Sequence, residues 1–139
     1  MTPIIAWLTA QVIKVFTGMF KERKFHILTL LFSNGGMPSS HSSAVCALAT
    51  TACIGCGVAS FQFAISCILA IIVMQDASGV RYETGEQAKI INKITKELFS
   101  GKPEEINTGL KTLVGHTPFQ VFMGALLGIA VGILMSFVF

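Results

Sequence analysis

PFQVFMGALLGIAVGILMSFVF, residues 118–139, is the stretch on which the fold turns. It carries no charged side chain, and a helix of that length, at about 1.5 Å per residue, crosses the hydrocarbon core of a bilayer. Pro118 suits a first helical position, where its missing N–H has no intrahelical partner to lose. Gly124, Gly128 and Gly132 recur every four residues. That spacing lets helix backbones approach closely in lipid, although glycine is also simply common in membrane helices.

Working outward, the charges avoid both ends of the chain. All ten Lys and Arg and all seven Asp and Glu lie between Lys14 and Lys111. The 139 residues are 53% hydrophobic and 12% charged, with a mean hydropathy of +0.71. Soluble domains carry about 25% charged residues, so lipid must cover much of this chain. One domain is expected, residues 1–139. The net charge of +3, without a basic run longer than two, excludes nucleic acid as a partner. Cys46, Cys53, Cys56 and Cys67 all fall in apolar segments. The Cys53-x-x-Cys56 pair has no neighbouring ligands and reads as small buried hydrophobes. Residues 4–20 do not read as a cleavable leader, because no basic stretch precedes them and Lys14 interrupts them.

The expected fold class is an all-α integral membrane bundle of about four spans plus an amphipathic interfacial helix. The spans fall near residues 3–20, 41–58, 61–75 and 118–139. Loop 21–40 holds a short apolar run, residues 26–32, and ends in Asn34-Gly35-Gly36-Met37-Pro38-Ser39-Ser40, which is not helix interior. Loop 76–116 contains the amphipathic helix, over residues 86–99. With four spans both loops lie on one side, and together they hold nine of the ten basic residues, three and six. The positive-inside rule places them in the cytoplasm.

Two histidines occupy matched positions. Serine precedes His41 at the start of one apolar helix, and Thr117-Pro118 follows His116 at the start of another. Helix N-termini offer free N–H groups and a positive dipole end, so both mouths suit an anion. Lys14 is an ionisable group inside a membrane helix, a functional candidate by default, although snorkelling to the interface would also explain it. Arg81, where the third span ends, has the fork that suits phosphate. Lys89, Lys93 and Lys96 read as a solvated or headgroup-facing stripe. No His, Cys or carboxylate cluster has convincing metal-ligand spacing, and no cofactor is expected.

Gly36-Met37-Pro38-Ser39-Ser40-His41-Ser42 resembles the Pro-Ser-Gly-His motif of the type 2 phosphatidic acid phosphatase superfamily, which includes vanadium haloperoxidases. Gly115-His116-Thr117-Pro118-Phe119-Gln120-Val121, followed by Gly124, is similar to that superfamily's His-x3-Asp-Val-x2-Gly motif. Lys14-x6-Lys21 resembles its Lys-x6-Arg-Pro motif loosely. The layout, with Asp76–Arg81 and Gly85-Glu86-Gln87-Ala88, looks like the divergent bacterial and plastid branch.

The resemblance implies hydrolysis of a phosphorylated or pyrophosphorylated lipid through a phosphohistidine, without a metal. It makes His116 the nucleophile, oriented by Gln120, and His41 the general acid. Lys14, Lys21, Gly36, Ser39, Ser40 and Arg81 would bind the phosphate. Several positions depart from the pattern. Ser40 replaces the motif glycine, Gln120 an aspartate, Leu110 an arginine and Glu22 a proline. The superfamily core has six helices against four spans here. The remaining walls then fall to the amphipathic segment, to residues 26–32 or to a second copy in a homo-oligomer. The alternative is a non-catalytic membrane protein that binds phospholipid headgroups or a partner through the same anion pocket. A small transporter component is a third reading, resting on Lys14 and the short helices alone.

Overall fold

The computed structural model describes residues 1–22, 37–98 and 115–138. These residues form five helices and no strand: α1 Thr2–Glu22, α2 Ser40–Cys56, α3 Phe61–Ser78, α4 Val80–Leu98 and α5 Pro118–Ser136. Residues 26–32, Gly36, Leu110 and Lys111 lie outside the described residues, as do residues 23–36 and 99–114 of the two expected loops.

Three of the five starts have a sequence cause. Ser39, Ser60 and Thr117 cap α2, α3 and α5, each accepting a backbone N–H from the third residue on. Two stops also have one. Gly57 ends α2 with φ +88°, a conformation that side-chain-bearing residues rarely adopt. Its N–H closes on Cys53 O at 3.0 Å. Gly79 separates α3 from α4, its N–H held by Gln75 O at 2.8 Å.

α2 is the hub, packed against α1, α3 and α5. Its partner contacts give the helix directions. On α5, a Cβ at Gly124 would run into Ser39 O, one at Gly128 into Ser43 O, and one at Gly132 would meet Thr50 Cβ at 2.7 Å. Both series ascend together, so α2 and α5 are parallel, glycine backbone on Ser/Thr backbone and stem. Against α1 the order reverses. Ser43 Oγ donates to Ala6 O at 3.2 Å, and Thr17 Oγ1 donates to Met37 O at 2.9 Å. The four-residue connection from Gly57 to Ser60 turns α3 back along α2, where Cys46 Sγ reaches Met74 Sδ at 3.9 Å. The N-terminal mouths of α2 and α5 therefore share one end with the C-termini of α1 and α3.

The core is the inverse of a soluble one. Among the described residues, Ser39, Ser42 and Ser43 are the largest fully buried side chains, and Ala6, Ala10 and Ala47 are fully buried as well. Large apolar groups face outward instead: Ile4, Leu8, Val12 and Phe16 along α1, and Phe122, Leu126, Ile129 and Ile133 along α5. In lipid, association comes from close backbone packing and not from hiding apolar surface, so small residues belong inside. Other helix hydroxyls are satisfied locally, as where Thr50 and Thr51 each donate at 2.8 Å to the carbonyl four residues earlier.

Among the described residues, two helical stretches are long and apolar enough to cross a membrane, Phe61–Thr95, continued through the Gly79 break, and Pro118–Ser136. The apolar part of α1, Thr2–Thr17, is shorter, and α2 has 17 residues rich in Ser, Thr and Ala. As the hub, α2 has neighbours where an outer helix has lipid, so it needs fewer large apolar groups. Two boundaries differ from the sequence expectation. The second span stops at Cys56 because of Gly57. The stretch read as loop from residue 76 is helical through Leu98 apart from the Gly79 turn, because the capped Gln75 carbonyl lets α4 restart at once. The amphipathic helix thus begins at Val80, six residues before its expected start.

Candidate functional site

The break at Gly79 builds the site. A helix's last carbonyls have no intrahelical partner, and Ala77 O, near the end of α3, is one of them. It accepts the His116 N–H at 3.0 Å. Gly115 lies flat against the start of α4, where a Cβ would overlap Tyr82 N and the Arg81 carbonyl carbon. The residue before His116 must therefore be this small, and the histidine backbone is fixed to the α3–α4 corner.

Its side chain is fixed by α5. Gln120 Oε1 lies 3.2 Å from His116 Nδ1 and accepts the Thr117 N–H, also at 3.2 Å. Thr117 Oγ1 accepts the Gln120 N–H at 3.4 Å, which closes a capping box. An atom that accepts a backbone N–H must be the amide oxygen and not its nitrogen. His116 Nδ1 therefore carries a proton, and in the neutral ring the lone pair is then on Nε2.

His116 is buried, and His41 is exposed in the first turn of α2. Both line a cavity of about 230 Å³ with Arg81, Asp76, Ala77, Ile72 and Val73. Arg81 Nε donates to Asp76 Oδ2 at 2.6 Å. The charges of Arg81, Lys14 and Asp76 all act on His41, so the ionisable groups at this end form one electrostatic neighbourhood.

Of the residues singled out from sequence, His41, His116 and Arg81 meet on the cavity wall, and Gln120 touches His116. Lys14 is 4% exposed on α1 and lies outside the wall, as do Ser39 and Ser40. Ser39 is occupied as a joint. Its N–H donates to Gln120 O at 3.1 Å, and its Oγ accepts the Ser42 O–H at 3.1 Å and the Ser42 N–H at 3.4 Å. Lys21 lies in the last turn of α1. Ala77, Ile72 and Val73 are wall residues that the sequence reading did not single out, and Asp76 entered it only as the start of the Asp76–Arg81 stretch. The glycine three residues after Asp76 was the available signal for a helix end there.

The fold defines a class, a helical bundle with its polar groups inside and its apolar groups out, suited to a membrane. More narrowly, the chain belongs to the divergent PAP2 family, whose model matches residues 1–131. It is 40% identical over 149 residues to an uncharacterized membrane protein, YuiD, of Bacillus subtilis (strain 168), covering 100% of this chain and 94% of that relative. No solved structure matches it.

Proposed function

We propose that the protein is a membrane lipid-phosphate or lipid-pyrophosphate phosphatase working through a phosphohistidine. The carrying observation is that His41 and His116, at the mouths of two parallel helices, line one cavity with Arg81. His116 Nε2 attacks phosphorus while the bond to the lipid oxygen breaks, and protonated His41 gives its proton to that oxygen. Water then attacks the phosphohistidine, His41 takes the water's proton, and phosphate leaves as Nε2 recovers its lone pair. Arg81, on the cavity wall, and the helix mouths face the phosphoryl oxygens; Lys14, Lys21, Gly36, Ser39 and Ser40 are the further phosphate ligands that the superfamily pattern implies, of which Lys14, Ser39 and Ser40 lie off that wall. Such positioning and neutralisation make up most of phosphoryl-transfer catalysis, and basic side chains supply them without a metal. Ile72 and Val73 give the cavity an apolar wall suited to the lipid portion.

This reading includes four spans, loops toward the cytoplasm, and a site at that interface. Acid-labile phosphoprotein, trapped by rapid quench with labelled lipid phosphate, tests it. Label is expected in the wild type and none in His116→Ala; equal labelling in that variant would remove His116 from the nucleophile role.

One observation favours a second reading, a headgroup- or partner-binding protein without turnover: Gln120, where the superfamily pattern has a carboxylate, supplies no negative charge to stabilise a charged His116. Wild-type protein that binds lipid phosphates and never becomes labelled would select it.

A further inference from the structure

Arg81 is anchored at two points. Its main chain packs against Gly115, and its side chain is tied through Nε to Asp76 on the other side of the Gly79 break. Both side chains are well exposed, 49% and 41%. Exposed ion pairs contribute only about 0–1 kcal/mol to stability, so folding alone is a poor account of this one. The pair lies on the wall of the cavity that holds both histidines. A guanidinium has five N–H donors; engaging Nε fixes its plane and leaves the four on the terminal nitrogens for an anion.

We propose that Asp76 is a positioning residue, holding Arg81 by Nε so that its terminal nitrogens present a fixed fork to a phosphate in the cavity. The proposal rests on reading that cavity as a phosphate site. Asp76 does not touch the substrate. Its carboxylate would repel a phosphate, and the benefit comes only through the ordered arginine, which loses less freedom when it binds.

Two substitutions separate the roles. Asp76→Ala removes charge and acceptor together, whereas Asp76→Asn removes the charge and keeps an oxygen for Nε. The measurement is vanadate and orthophosphate binding to the full-length protein in lipid nanodiscs. Asp76→Ala should weaken binding about tenfold, the equivalent of one charge-assisted hydrogen bond. Asp76→Asn should recover most of that loss. In an Arg81→Ala background neither change should weaken binding further, because residues acting as a unit are not additive, and loss of the carboxylate's repulsion can only tighten it.

Binding that is unchanged or tighter in Asp76→Ala overturns the proposal, and so does a loss of full size in the Arg81→Ala background. The expected pattern in a protein that never turns over would remove the phosphatase reading and leave the positioning role. Lipid-phosphate hydrolysis with undiminished anion binding in Asp76→Ala would do the reverse. Wild type that binds neither anion overturns both.

Discussion

His116 and Gln120 are joined across the start of α5, Nδ1 to Oε1 at 3.2 Å, by the same oxygen that caps the helix. Helix capping and histidine orientation are therefore one interaction. A side chain that breaks the cap also releases the ring.

A carboxylate of the same length tests this coupling. Gln120→Glu keeps the reach, completes the usual form of the capping box and adds negative charge beside His116. The imidazolium gains a partner that the neutral ring values less, so the His116 pKa should rise above its wild-type value. Gln120→Ala loses the contact and should cost roughly 1 kcal/mol of stability as a lost cap. An NMR titration of labelled histidine reads the first effect and thermal unfolding the second. An unmoved His116 titration in Gln120→Glu would show that the pair is not coupled.

The glycine stripe makes a graded prediction. At Gly128 an added methyl meets the Ser43 carbonyl, main chain that has little room to yield. Gly128→Ala should destabilise by about 1–3 kcal/mol, as overpacking does. At Gly132 the nearest atoms belong to the Thr50 side chain, which can shift, so Gly132→Ala should cost less. Gly55→Ala has nothing within 4 Å and should be neutral or stabilising by up to about 1 kcal/mol. Unfolding in mild detergent ranks the three. Equal effects at Gly55 and Gly128 would contradict the close α2–α5 contact.

Much of this was legible before any coordinates. Long apolar runs between clustered charges give a helical membrane protein, and four-residue glycine spacing gives a close helix pair. Cap residues beside His41 and His116 place both at helix mouths. The α3–α4 corner was not legible, because Asp76 and Ala77 matter through what a helix break exposes. A lone glycine in a polar helical run does not say whether the helix ends or continues. The hub role of α2 was also hidden. Its Ser/Thr/Ala composition makes it look like an ordinary thin span, and only its three neighbours explain it.

The division of labour between the histidines appears in the leaving group. His41→Ala should slow a lipid alkoxide leaving group by two or more orders of magnitude, within the range of about 10²–10⁴ for general acid catalysis. A nitrophenyl phosphate, whose leaving group needs no proton, should lose far less. Steady-state rates on both substrates supply the comparison. Equal losses would assign His41 to binding instead.

Topology is tested by labelling. Val58, at the α2–α3 connection, is 72% exposed. In a background without the native cysteines, Val58→Cys and Lys102→Cys should react with an impermeant thiol reagent from opposite sides. Position 102 should be the cytoplasmic one, following the basic residues. Labelling of both from one side would rule out the four-span arrangement.

A ladder with evenly spaced identical rungs has a weakness: it fits equally well one rung along. Gly124, Gly128 and Gly132 against Ser39, Ser43 and Ala47 form such a ladder. A slip of four residues would carry His116 about 6 Å along the axis, away from His41. The Ser39 N–H to Gln120 O bond, at 3.1 Å, has no equivalent one turn on and acts as the index pin. The distance between the two histidines is thus set at the top of the ladder, by this main-chain hydrogen bond together with the one from His116 N–H to Ala77 O, while the rungs supply the grip.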